Sequence, residues 1–326
     1  MMDTTGNISS TLNNSKIPEK EMLWKSVDFY LEKIYFALYI VSIIGNVLTV
    51  IVMAKRIAAQ SSSTATSLRI LFASLAVSDI LIMLMFSFFD TVPNEQWTVS
   101  LVDYTDCYTY TFKHISNSIL AMITVERVIC VGMPLHARRL ASPRRIVITL
   151  VIIVLGLFIF DTVNYFCFYD FYWVAYYPID LYRGFVPQFV IITIGSTFII
   201  AKLTCFKTIG KKSSEATILL IAANALFVVT LLPYRLYNYF SDSYVFYCSP
   251  DMDTVLFFMC RPLFRLERLN AMLNFYLYVL CGKKFRAEIF SLFMCSTFRT
   301  ESVRNNNFSG TNSTRLSSVN DTPVKY

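Results

Sequence analysis

The chain has 326 residues, 55% of them hydrophobic, 16% aromatic and only 16% charged, against roughly 25% charged in an ordinary globular protein. A soluble fold of this size cannot hide so much apolar surface, so the composition excludes a water-soluble globule, a disordered chain, collagen and a disulfide-dense secreted scaffold. Two His leave little material for a histidine-based metal or catalytic centre, and the net charge of +7 has to be read by side of a membrane before nucleic acid is considered.

Residues 34–54 form an uncharged run of 21, about the length a helix needs to cross ~30 Å of hydrocarbon. The run 70–89 is broken only by Asp79, and 146–169 carries one acid, Asp161. Residues 184–201 and 216–234 are uncharged throughout. Two further segments are weaker: 107–125 contains Lys113, and 254–281 contains Arg261, Arg265, Glu267 and Arg268. Hydropathy alone supports five spans; counting both weak segments predicts seven. The runs lack the alternation of barrel strands, so the expected fold is all-α: a seven-transmembrane-helix bundle followed by a short amphipathic eighth helix. Its expected parts are a tail 1–29, the helical domain 30–282, the amphipathic segment 283–295 and a disordered tail 296–326.

Loop charge orients the bundle. With the amino end outside, Lys55, Arg56 and Arg69 flank the first inner loop; Arg127, Arg138, Arg139, Arg144 and Arg145 fall in the second; Lys202, Lys207, Lys211 and Lys212 in the third; Lys283, Lys284 and Arg286 follow the last span. The opposite loops hold Asp90, Glu95, Asp103, Asp106, Asp170, Asp180, Asp242, Asp251 and Asp253 against Arg183. This alternation follows the positive-inside rule and predicts a multi-pass protein with an extracellular amino end. Residues 1–29 are polar and lack an apolar h-region, so the first span is expected to act as its own insertion signal. Asn7-Ile8-Ser9 and Asn13-Asn14-Ser15 are glycosylation acceptors on the outer side; Asn307, Asn312 and Asn320 sit in the inward tail. No internal repeat and no pair of broken helices of the transporter kind is present.

Several polar residues stand where polarity is expensive. Asp79 lies mid-span in Leu75-Ala76-Val77-Ser78-Asp79, Asn46 lies in Gly45-Asn46-Val47, and Glu126-Arg127-Val128 closes the third span. Asn274-Phe275-Tyr276-Leu277-Tyr278 closes the seventh, before Lys283-Lys284-Phe285-Arg286; Pro233 interrupts the sixth span and Pro187 the fifth. In the order and spacing of these motifs, over residues 30–295, the chain resembles the rhodopsin-like G-protein-coupled receptors, and most nearly invertebrate neuropeptide receptors of the FMRFamide type.

The resemblance carries specific expectations. A carboxylate at mid-membrane costs at least ~2.5–3.5 kcal/mol unless paired, hydrated or protonated. The family supplies Ser116 and Asn274 as partners for Asp79, with Asn46 and Asn270 nearby, and in the family this oxygen-rich set holds a sodium ion that favours the inactive arrangement. A polar cluster without an ion is the alternative. Glu126 and Arg127 match the family's switch at the inner face, and Tyr278 matches the tyrosine of its N-P-x-x-Y motif. The family's pairing of span three with the second outer loop implies a Cys107–Cys167 disulfide. Cys107 precedes Arg127 by 20 residues, however, whereas the family distance is about seven turns, which displaces the bridge by about 7.5 Å or starts span three later. Cys248 and Cys260 are a second outer pair, and the three pairings of these four cysteines stay open. Cys295, beyond the amphipathic stretch, is a candidate for palmitoylation.

The chain also departs from the family. Phe275 replaces the motif's Pro, Val128 replaces a Tyr after Arg127, Leu231 stands where a Trp is usual, Gly195 replaces a tyrosine of span five, and span four has no Trp. The usual toggle is therefore in question, while the fold is not. Thr109 stands where aminergic receptors carry an acid, and Arg268 where opsins carry the retinal lysine, which disfavours amines and retinal. Thr109, Tyr110, Arg235, Asn238 and Arg268 are the expected ligand-pocket residues. Arginines at depth and acidic outer loops fit a short peptide; alternatively, Glu267 and lipid headgroups neutralise Arg265 and Arg268.

The expected protein is thus a plasma-membrane receptor for a small extracellular ligand such as a short neuropeptide. It would activate a heterotrimeric G protein, with arrestin as a partner of the Ser/Thr-rich tail, membrane lipid around it and no nucleic acid partner. A chemosensory receptor for small environmental molecules is the first alternative and a transporter the second. No nucleophile–base pair and no metal-ligand spacing points to an enzyme, and no cofactor is expected beyond sodium as an allosteric modulator.

Overall fold

The computed structural model describes residues 19–59, 63–91, 99–167, 180–205, 211–240 and 254–294, and every element among them is helical. Helix α1 is Glu19–Ala58, α2 Ser63–Thr91, α3 Val99–Gly132, α4 Pro134–Leu140 and α5 Pro143–Cys167. A π-helical turn, Asp180–Phe185, leads into α6, Val186–Cys205; α7 is Lys211–Phe240, α8 Thr254–Cys281 and α9 Lys283–Met294. Residues 1–282 form one compact unit, and α9 belongs to a second, Lys283–Tyr326.

The helix ends follow from local chemistry. Lys55 and Arg56 occupy the last turn of α1, where cations meet the carbonyl end of the dipole. Arg69 then reaches back from α2, Nη1 donating to the Arg56 carbonyl at 2.7 Å. Proline opens α4 and α5, where a missing N–H costs nothing. Pro187 is the second residue of α6, directly after the π-helical turn, so the change of helix type falls where the proline withholds an N–H. Pro233 and Pro262 lie inside α7 and α8. Near the junction of α4 and α5, Ser67 of α2 donates to the Ala141 carbonyl at 2.7 Å.

Side-chain contacts give the helix directions. Tyr35, Tyr39 and Ser42 of α1 meet Arg265, Arg268 and Met272 of α8 in rising order, so the two run parallel. His114, Ser118 and Thr124 of α3 meet Gly184, Gln188 and Gly195 in the same order, so α3 and α6 are parallel. Arg235 and Thr230 of α7 meet Glu267 and Asn270 of α8 in opposite order, so these are antiparallel. Helix α3 is central, packing against α2, α5, α6 and α7. One core cluster joins Tyr39 of α1, Ile82, Met83 and Phe86 of α2, and Ala271 and Met272 of α8.

Five of these helices are long and apolar enough to cross a membrane: Phe29–Ala58, Ala65–Phe88, Cys107–Gly132, Pro143–Phe166 and Thr217–Tyr237. Helix α5 shows what surrounds them. Its span has the highest mean hydropathy of the five, 2.8, yet only 11% of that span is buried. Val151, Ile152, Leu155, Ile159 and Val163 all face outward. Such a face is intolerable in water and ordinary in hydrocarbon. The five helices make the chain compatible with a multi-pass membrane protein. The weak segment 107–125 lies within one of them, whereas 186–201 belongs to a shorter apolar helix, Val186–Lys202.

Candidate functional site

Asp79 is fully buried midway along α2, and two other helices close on it. Ser116 Oγ of α3 donates to Oδ1 and Asn274 Nδ2 of α8 donates to Oδ2, both at 2.8 Å. Each partner sits on a different helix, so a single carboxylate fastens α2, α3 and α8 together. Beside it on α1, Asn46 Nδ2 donates to Ser42 Oγ at 3.4 Å, and Ser42 donates to the Met272 carbonyl at 3.2 Å. The buried Asn46 Oδ1 has no hydrogen-bond partner, a condition that a water or cation relieves. Carboxylate, hydroxyl and amide oxygens are hard donors, so Asp79, Ser116, Asn46 and Asn274 fit the sodium expectation on donor chemistry. Among the described residues no group of three or more His, Cys, Asp or Glu comes together.

A small cavity of about 20 Å³, room for about one water, opens from Ser116 toward a second cluster. Lys113, Ser116 and Asn117 of α3 line it at helical spacing, facing Glu267, Arg268, Asn270 and Ala271 of α8, with Ile82 and Phe86 of α2 and Leu231 of α7. Glu267 is its electrostatic centre. Its Oε2 lies 3.3 Å from Lys113 Nζ, and its Oε1 2.8 Å from Arg235 Nη2. All three side chains are under a tenth exposed, so the charges are desolvated and held by one another. Aromatic faces wrap the cations: Lys113 Nζ lies 4.6 Å from the Tyr110 ring centre and 5.0 Å from that of Phe86. Arg268 takes a different partner, donating from Nη1 to Tyr39 Oη at 3.0 Å and stacking between Phe86 and Phe264. Thr230 Oγ1 donates to Asn270 Oδ1 at 3.3 Å on the cavity's α7 side.

At the far end of α3 the Glu126 carboxylate folds onto its neighbour. Arg127 Nε is 2.7 Å from Oε2, and Nη2 donates to Oε1 at 3.3 Å. Cys130 Sγ donates to the same carboxylate at 3.5 Å. One turn deeper, Asn224 of α7 joins three helices: Nδ2 donates to Thr124 Oγ1 at 3.2 Å and to Ser196 Oγ of α6 at 2.6 Å. Tyr278 is buried with its ring edge-on to Phe72 at 5.3 Å. The Phe275 ring occupies the space where Gly45 lacks a side chain, so the replacement of proline there comes with close packing against α1.

Of the expected pocket residues, Arg268 lines the cavity, while Arg235 and Tyr110 hold its lining charges. Thr109 is buried and spends its hydroxyl on the Thr105 carbonyl at 2.7 Å, outside the cavity lining. The expected neutralisation of Arg265 and Arg268 by Glu267 gives way to pairing with Lys113 and Arg235. Cys107 Sγ is buried 4.0 Å from the Asp161 carbonyl of α5, and Thr111 Oγ1 donates to Asp161 Oδ2 at 2.7 Å. The Asn238 and Cys167 side chains, Asn7, Asn13, Cys248 and Cys295 lie outside the described residues, as does the Cys260 side chain.

Two groupings had escaped sequence reading. Lys113 and Glu267 each broke an apolar run, and opposite charges in two spans are a signal to pair them. Thr124, Ser196 and Asn224 carry no such signal, because each is an unremarked polar residue in a mainly apolar helix. No protein-family model matches the chain, and no curated protein matches it.

Proposed function

We propose that the chain is a seven-helix receptor of the rhodopsin-like kind, crossing the plasma membrane with its amino end outside. A short extracellular peptide binds at the Lys113–Glu267–Arg268 end of the bundle, and a heterotrimeric G protein engages the Arg127 end. The observation that carries this reading is the Asp79 node: a mid-span carboxylate of α2 held from two other helices, continuous through Ser116 with a charged cavity.

The two ends are suited to opposite tasks. The cluster around the small cavity brings together cations, a carboxylate and aromatic faces, the groups that bind peptide termini and side chains. At the other end Arg127 is restrained by Glu126 alone among the described carboxylates, a contact that a partner helix can replace. Ligand and G protein then each favour the same arrangement by binding it better, and the coupling is reciprocal. Sodium at Asp79, Ser116, Asn46 and Asn274 would supply a fixed positive charge that neutralises the carboxylate and favours the closed arrangement.

A peptide library applied to cells expressing the chain, with G-protein activation as the readout, tests the reading. Activation by a peptide that disappears in Arg127→Ala supports it. Responses confined to small metabolites would turn it into a chemosensory receptor, and solute flux in vesicles without any G protein would replace it with a transporter.

A further inference from the structure

A second cavity lies on the opposite face of the α2–α3 pair from the charged one. It is an open groove of about 300 Å³ between α2, α3 and α5. Its walls include Ala73, Val77 and Leu81 of α2, Ile115 of α3, and Val154 and Phe158 of α5. The α2 and α5 residues recur every four positions, so each helix presents one stripe to it. Its polar lining is limited to Ser74 and Ser78, and Ser78 Oγ already donates to the Leu75 carbonyl at 2.8 Å.

Depth and chemistry identify the occupant. Val77 and Val154 lie at the midpoints of the candidate spans Ala65–Phe88 and Pro143–Phe166. The groove therefore sits near the centre of the hydrocarbon and is continuous with the outward apolar face of α5. We propose that it holds the terminal segment of a phospholipid acyl chain as a resident lipid site. The proposal rests on the membrane-spanning reading of the helices. A sterol keeps its hydroxyl at the interface and its rigid rings beside it, so at this depth only a flexible tail remains to fill the space. No lining residue carries a charge that would hold a headgroup. In hydrocarbon such a site is held by contact dispersion, since an empty groove leaves its lining without partner atoms.

Position gives the site a consequence. Ser78 and Ile115 on the groove side are the chain neighbours of Asp79 and Ser116, whose side chains meet at 2.8 Å on the other side. A chain seated in the groove braces α2 against α3 and α5, and so holds that hydrogen bond at its length.

The test uses the full chain in phosphatidylcholine nanodiscs carrying a phospholipid with a diazirine at the end of one acyl chain. After photolysis, adducts are mapped by mass spectrometry. They are expected on 73–81 and 150–158, and to resist chase by excess unlabelled phosphatidylcholine. Adducts at Ile44 and Ile194, which face outward on α1 and α6, are expected to be chased away. Ala73→Phe and Val154→Phe each fill the groove from a different helix; whichever folds is expected to lose the groove adducts while keeping those at Ile44 and Ile194. Groove adducts that chase as fast as those at Ile194, that persist in a folded filled variant, or that form only with a ring-labelled sterol overturn the proposal. Absence of labelling at Ile44 and Ile194 as well overturns the membrane reading and the site with it.

Discussion

Lys113 and Glu267 are 154 residues apart in the chain and 3.3 Å apart in space, each buried on its own helix. The carboxylate also holds Arg235 at 2.8 Å, so the two substitutions are not equivalent. Glu267→Gln leaves two buried cations facing the place the charge occupied, whereas Lys113→Met leaves the Arg235–Glu267 pair intact. Glu267→Gln is expected to cost about 3–5 kcal/mol, lowering the Tm of the detergent-solubilised protein by on the order of 10 °C. Lys113→Met should cost about 1 kcal/mol. Equal losses in thermal unfolding would show that Glu267 is not the hub.

The Glu126–Arg127 contact predicts an activity change rather than a stability change. Two charge-assisted contacts hold the guanidinium, at 2.7 and 3.3 Å. Glu126→Gln removes the charge and keeps the size, so Arg127 becomes available to a partner. Ligand-free G-protein activation is expected to rise on the order of tenfold, the factor that ~1.4 kcal/mol of lost restraint supplies. Arg127→Ala should abolish it. A Glu126→Gln protein as quiet as the parent would remove the switch from the proposed mechanism.

Asp79→Asn separates an ion site from a hydrogen-bonded node. The amide retains an oxygen that can accept from Asn274 or Ser116, so the helices stay joined, but the charge is gone. The unsubstituted protein should gain on the order of 1 kcal/mol when sodium replaces choline at a concentration a few times the ion's Kd. Asp79→Asn should show no such gain. Thermal melts of the two proteins in both salts decide it, and identical sodium responses would exclude Asp79 as a ligand.

What could be read from the chain before its fold was known follows from the cost of polarity in hydrocarbon. Asp79 stood alone in an apolar run, so partners had to exist, and Ser116 and Asn274 do meet it. Lys113 met the same argument from the other side: it counted against a span instead of pointing to a mate. Its helix is nonetheless apolar enough to cross, because the charge is turned inward onto Glu267. Facing is what a one-dimensional hydropathy profile loses.

Two glycines turn this distinction into a measurement. Gly156 of α5 has open space where a side chain would go, on a helix whose outer face is apolar. Gly156→Ala gains helix propensity and meets nothing, so it should stabilise the protein by about 0.5–1 kcal/mol. Gly195 of α6 faces Thr124, and a methyl there falls on the threonine's own methyl. That group cannot swing aside freely, because Thr124 Oγ1 donates to the Leu120 carbonyl at 3.0 Å and accepts from Asn224 at 3.2 Å. Rotation would give up both bonds and loosen the link to Ser196. Gly195→Ala is therefore expected to destabilise by about 1–3 kcal/mol despite the same gain in propensity. Thermal melts of the two variants should move in opposite directions. In a Gly195→Ala, Thr124→Ser background the methyl is gone and the loss should be largely recovered, whereas persistence of the loss would mean that α3 and α6 are not in contact at this level.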